Sequence, residues 1–281
     1  MLWKRRSQKQ ASDALREAVG EYKLPHFPGS VLEALSALRD PDATLGWIGE
    51  RLSVDPGISV KLLSLVNSAG FGLRAPVDSL PHAVQLVGRS SLESLLVSMG
   101  VRRSLPTRVK GIDPHAFWKA AAQRAAVARR MSEILCPSEG PRAFTAALLQ
   151  EMAVPLLAER HGSAYAALLE RWHEGGPELR DQEQEAFGYD HAGIGLLMCQ
   201  AWDLPESLAV AIGGHHQAPD AGADVPHPVL LSAFLRAAGC PSSGEAIVAA
   251  ASERHAMDPE TVNGILAQSL EDAEGLARML V

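Results

Sequence analysis

The chain has 281 residues, 47% hydrophobic and 21% charged, a balance that suits a folded protein with an apolar core and excludes wholesale disorder. Its formal net charge of -7 withholds the basic field that non-specific nucleic-acid binding requires. Its three cysteines, Cys136, Cys199 and Cys240, lack the CxxC spacing of a zinc knuckle or redox pair.

The elements follow in chain order. Lys4, Arg5 and Arg6 are the one basic cluster and read as a solvated tail; no apolar run follows them as in a secretory signal. Residues 1–23 form a polar leader with one expected helix, Ser12 to Glu21. From Leu24 to about Leu105, Pro and Gly separate short helices. Val31, Leu32, Leu35 and Leu38 repeat at helical spacing behind Ser30 and Glu33, a capping-box pair. Asp55-Pro56 opens the next helix, with Ile58, Leu62, Leu65 and Val66 as its apolar stripe. Asn67, Ser68, Gly70 and Gly72 close it with local side-chain bonds and a permissive backbone. Leu92, Leu95, Leu96 and Met99 mark a third stripe behind a Ser90/Glu93 pair.

Longer helices are expected from Asp113 to His216, followed by a Pro/Gly/Asp-rich loop at Gln217 to Pro228. Asp258-Pro259-Glu260 starts a last helix, with Pro in the first turn and acids at the positive end of the dipole. Val262, Ile265, Leu266 and Leu270 on it either pack back on the domain or form a homodimer seam. Alternating β patterns and hairpin turns are missing, so the expected fold class is all-α. No apolar stretch reaches the length of a bilayer span, and a cytoplasmic location without stable membrane insertion is expected.

Four segments in order carry a resemblance: Leu24-Pro25-His26-Phe27-Pro28, then Asp40-Pro41, then Leu62 to Gly72 (LLSLVNSAGFG), then Ser79 to Gly88 (SLPHAVQLVG). Each is weak alone; together they resemble the HDOD family, non-catalytic relatives of the HD-superfamily metal phosphohydrolases. The resemblance runs from Leu24 to about His216. It implies a short-helix N-terminal half packed on a degenerate HD-like half, dividing the chain into a leader (1–23), an HDOD domain (24–219) and a C-terminal helical extension (220–281).

The same resemblance places Ala120 where HD enzymes carry a first metal-binding His, and Gln150-Glu151 where they carry the namesake His-Asp pair. Gln150 offers only a neutral amide oxygen and Ala120 nothing, and Glu151 carries its carboxylate one methylene further out. His191, His215 and His216 stand where related cyclic-dinucleotide phosphodiesterases keep ligands. With Gln150 and Glu151 they read first as a vestigial cleft holding no metal. Gly188-Tyr189-Asp190 imitates those enzymes' GYP signature, but it precedes the His pair and lacks the proline.

The implied function is a non-catalytic, cofactor-free signal-transduction module that binds a protein or a small ligand, with signalling proteins of cyclic-dinucleotide or two-component systems as candidate partners, and no nucleic acid. Asn67, Phe71 and Gly72 are the candidate binding surface, weighed against a purely structural role as turn residues. The competing reading is a divergent metal-dependent phosphohydrolase, a nucleotide or cyclic-nucleotide phosphodiesterase using the surviving histidines.

Overall fold

Alanine and leucine dominate the apolar positions, and both favour helix over strand. The computed structural model describes Asp13, Leu15 and residues 27–67, 76–106, 108–218 and 224–280, and among these no strand forms beyond an isolated bridge between Val109 and Ile112. The fold is all-α. It separates into two compact units, His26–Ser104 and, in the main, Leu105–Met279. The leader helix expected at Ser12–Glu21 lies outside the described residues except for Asp13 and Leu15, both helical.

The first unit holds α1 (Gly29–Leu38), α2 (Leu45–Leu52), α3 (Pro56–Val66), α4 (Leu80–Val87) and α5 (Arg89–Ser104). Thr44 caps α2 through the N–H of Trp47 at 3.3 Å. Asp55 opens α3 as its sequence position suggests, Oδ1 accepting from the N–H groups of Gly57 (2.9 Å) and Ile58 (3.1 Å). The expected Ser30/Glu33 capping box does not form. Pro28 is the N-cap of α1, and Ser30, the second residue of the helix, donates instead to Asp55 at 3.0 Å. Ser90 likewise falls within α5 rather than at its cap. Asp55 also meets Arg103 of α5 at 2.8 Å, so one carboxylate ties three helices together.

The core of this unit is the stripe read from spacing: Val31, Leu35, Leu38, Ile58, Leu62, Val66, Leu92 and Leu96 are buried. Leu32 departs from it, 39% exposed on the outer face of α1. Gly49 on α2 permits the approach of α4: a Cβ there would stand 2.5 Å from the Pro81 Cα.

The second unit holds α6 (Pro114–Leu135), α7 (Gly140–Leu149), α8 (Val154–His161), α9 (Ser163–His173), α10 (Leu179–Phe187), α11 (His191–Ala201), α12 (Glu206–Gly213), α13 (His227–Ser232), α14 (Pro241–His255) and α15 (Pro259–Leu280). Asp113 caps α6 by accepting from His115 N and Ala116 N, with Pro114 in the first turn. The buried face of α6 is mostly alanine, and small side chains let α7 and α13 pack closely against it.

Residues 224–279 are part of this unit. Val127 and Met131 of α6 share one apolar cluster with Leu231, Leu235, Ile247, Ala251, Met257, Val262 and Ile265, against which Leu266 packs. The C-terminal stripe therefore packs back, as the first of its two readings has it. Ion pairs Lys119–Glu274 (2.8 Å) and Arg130–Asp272 (2.7 Å) join α15 to α6 at the surface, where such pairs add little stability. Asp258 caps α15 through Thr261 N at 2.9 Å, as the Asp-Pro-Glu start predicts.

Candidate metal centre

Three chain reversals of the second unit deliver the site. Gln150 and Glu151 occupy the tight connection between α7 and α8. His191 is the first residue of α11, whose N-cap Asp190 accepts from Gly193 N at 2.7 Å. His215 and His216 follow the end of α12, where Gly214 is required by space: a Cβ would lie 2.6 Å from Val225 Cγ2 and 3.0 Å from the Val210 carbonyl. The Gly213-Gly214 helix end expected from the sequence thus turns both histidines into the unit.

There one donor atom from each of Glu151, His191, His215 and His216 lies within 4.8 Å of the other three. The His191 and His215 Nε2 atoms are 3.2 Å apart, and the His216 and His191 Nε2 atoms 2.9 Å. Glu151 Oε2 stands 3.2 Å from His191 Nε2, and Oε1 3.7 Å from His215 Nε2. Glu151, His191 and His215 are buried; His216 is partly exposed.

The opposite ring nitrogens fix the tautomers. His191 Nδ1 donates to Glu183 Oε2 at 2.6 Å, and the same oxygen accepts the His191 backbone N–H at 2.9 Å. His215 Nδ1 donates to the Ile212 carbonyl at 2.6 Å. Both Nε2 lone pairs then point inward, toward each other and toward a carboxylate. Lone pairs in such contact repel unless a cation lies among them. Without a metal that cation is a proton. Burial works against a charged His191, but the carboxylates of Glu151 and Glu183 outweigh it and lift its pKa to about 9. Burial and the neighbouring His191 charge depress His215 to about 4, and burial also takes His216 far below the usual imidazole range. Glu151 is held below its ordinary value: burial pushes up, but His191, Arg124 and His215 pull down harder.

The donor set also fits a divalent metal. Four ligands on a tetrahedral zinc at about 2.0–2.1 Å sit roughly 3.3 Å apart, close to the separations around His191. Glu183 and the Ile212 carbonyl hold the Nδ1 sides as outer-shell partners of metal-bound histidines do. Glu151 Oε2 is buried and faces the His191 Nε2 at 3.2 Å, an acceptor placed for a cation. The vestigial, metal-free cleft expected from the sequence therefore retains a complete four-donor cluster. Gln150 stands beside it as a non-ligand, its Oε1 accepting from Ser232 at 3.4 Å. Ala120 belongs to the apolar cluster of α6.

One residue of the site carries no signal in the sequence. Glu183 sits in the polar run LRDQEQEAF, which reads as a solvated helix, yet it is wholly buried and its other oxygen accepts from the Tyr165 hydroxyl. The GYP look-alike is structural: Gly188 ends α10 in the left-handed conformation, Tyr189 bonds His161 at 2.8 Å, and Asp190 caps α11. In the first unit, the Asn67 amide is engaged on both sides by the Val77 backbone, Nδ2 to the carbonyl and the N–H to Oδ1, each at 2.7 Å. These bonds tie the end of α3 to the segment before α4. Phe71 and Gly72 lie outside the described residues.

Comparisons with known proteins agree with this frame. The HDOD domain family model matches residues 24–218. A structure of a Shewanella amazonensis protein named as a phosphohydrolase superposes with TM-score 0.74 at 23% identity, covering 95% of this chain and 98% of that one. An HDOD domain protein of Geobacter sulfurreducens gives TM-score 0.69 at 17% identity and 99% coverage of both chains. A Marinobacter aquaeolei protein named for signal transduction gives 0.72 at 18% identity, covering 97% of this chain and 66% of that one. Among curated proteins, an uncharacterised protein of Treponema pallidum is 29% identical over 205 residues, 70% of this chain but only 38% of the relative's own length.

Proposed function

Because the chain belongs to the HDOD domain family, we propose that it is a non-catalytic regulatory module of signal transduction whose second unit holds one divalent metal ion in a structural or sensory role. The observation that carries the metal is the convergence of three imidazole nitrogens and one carboxylate in a buried cluster. Zinc suits three neutral nitrogens with one carboxylate oxygen, and Mn²⁺ or Fe²⁺ are the next candidates. Bound there, the ion would tie α7, α11 and α12 together through Glu151, His191, His215 and His216.

The non-catalytic half of the proposal rests on what surrounds the cluster. Ala120 offers nothing to a second cation and Gln150 only a neutral amide oxygen, which faces Ser232, so the two-metal clamp that stabilises attacking and leaving oxygens in phosphoester hydrolysis lacks its charged ligands on that side. Glu151, His191 and His215 are buried, which suits an ion that fixes helices better than one that turns over substrate. Output then comes from binding another signalling protein, in keeping with the name of the Marinobacter relative.

The test is elemental analysis of the purified chain beside a hydrolysis assay. The expected result is about one metal ion per chain, lost in His191→Ala, with no metal-dependent cleavage of bis(p-nitrophenyl) phosphate. A chain that takes up no metal after reloading returns the cluster to a vestigial one. Turnover that disappears with His215→Ala establishes the phosphohydrolase instead.

A further inference from the structure

Beside the metal cluster, Ala116, Ala120, Arg124, Glu151, Trp172 and Arg236 help to line a cavity of about 100 Å³. It opens where α6 carries alanine at the position at which the HD resemblance expects a ligand. Two of its walls hold N–H groups with nothing to bind. Arg124 is 2% exposed; its Nη1 donates to the Leu235 carbonyl at 2.9 Å, but its Nε is buried without an acceptor. Trp172 is 6% exposed and its Nε1 is likewise buried and unpartnered. Buried donors in native proteins are rarely left so, and each points to an acceptor that the chain does not provide.

We infer that this cavity is a binding site for a small oxyanion, a free phosphate or an equivalent tetrahedral group, held by Arg124 and Trp172. A buried guanidinium beside an indole N–H supplies charge and direction together, the combination that oxyanions select. Arg236 is not part of the binding set: its guanidinium is already spent on the Trp172 and Gly176 carbonyls at 2.8 and 2.9 Å and on Glu178 at 2.6 Å. Asp113 also lines the cavity, its carboxylate occupied by the first N–H groups of α6. The volume suits a phosphate-sized group. Glu151 faces both the cavity and the histidines, so its charge opposes an anion unless a cation at the cluster compensates it. To that extent the inference rests on the metal reading, and it makes phosphate and metal binding mutually reinforcing.

The experiment is isothermal titration of inorganic phosphate, at constant ionic strength, into the full chain loaded with one equivalent of zinc, with zinc content measured separately. Trp172→Phe removes only the N–H, and Ala116→Leu, at an exposed position on the cavity rim, fills space without touching either donor. Saturable phosphate binding by the wild type, weakened roughly tenfold or more in Trp172→Phe and lost in Ala116→Leu, is the expected result. Zinc bound stoichiometrically with no phosphate binding, or with equal binding in both variants, overturns the oxyanion site and leaves the metal reading standing. A chain that binds no zinc overturns the metal reading, and this inference with it.

Discussion

Replacing Glu183 by glutamine tests the metal centre through a residue that touches no metal. The Glu183 carboxylate receives three hydrogen bonds: one from the Tyr165 hydroxyl, and two from His191, through its backbone N–H at 2.9 Å and its Nδ1 at 2.6 Å. A glutamine with its oxygen on the His191 side keeps both His191 bonds, and the Tyr165 hydroxyl turns to accept from the new NH2. Shape and bond count survive while the negative charge is removed. That charge makes the His191 ring more basic at Nε2, and losing such an outer-shell partner typically costs 10–100-fold in metal affinity, about 1.4–2.8 kcal/mol. Glu183 and His191 are both buried, so solvent does little to dilute the effect. The assay is competition for zinc against a chromophoric chelator at pH 7.5, with helicity by circular dichroism as the control for folding. Glu183→Gln should bind zinc at least tenfold more weakly with unchanged helicity. Affinity within twofold of wild type, in a protein whose zinc is abolished by His191→Ala, would refute the argument that Glu183 tunes the ligand.

Three further outcomes are expected. Asn67→Ala removes both bonds to the Val77 backbone and leaves those backbone groups to water, so chemical denaturation should report a loss of about 1–2 kcal/mol, and a surface role alone predicts none. Asp55 is held well below its ordinary 3.8, first by its hydrogen bond from Arg103, with the Ile58 N–H and Ser30 adding to it against burial. A depressed folded-state pKa contributes stability above the unfolded value and loses it as pH falls toward the folded one. Denaturation midpoints of wild type and Asp55→Asn should therefore differ at pH 7 and converge as pH drops below about 3.8. Met131→Ala opens a hole in the cluster that α6 shares with α14 and α15 and should cost about 2–5 kcal/mol, measured by urea titration; a change below 1 kcal/mol would mean the C-terminal helices do not form one core with α6.

The helical class, the core stripes of α1, α3 and α5 and the helix starts at Asp55, Asp113 and Asp258 were all legible in the chain, because apolar spacing and capping chemistry act within one or two turns. So were the family and the identity of the four cluster residues, since the resemblance runs through matched motifs in a fixed order. Ser30 shows the limit of that reading. Its spacing to Glu33 satisfies a capping box, yet the Asp55 carboxylate, 25 residues away, takes the hydroxyl. The meaning of the histidines likewise waited on three dimensions. Whether a cleft without Ala120 and Gln150 as ligands is empty or still able to hold an ion depends on where three Nε2 lone pairs point. For His191 and His215 that direction is set by Glu183 and the Ile212 carbonyl. Local sequence determines which segments become helices; only the packing of α7, α10, α11 and α12 decides that a polar-looking helix buries Glu183 against His191, because burial is a property of neighbours and not of spacing.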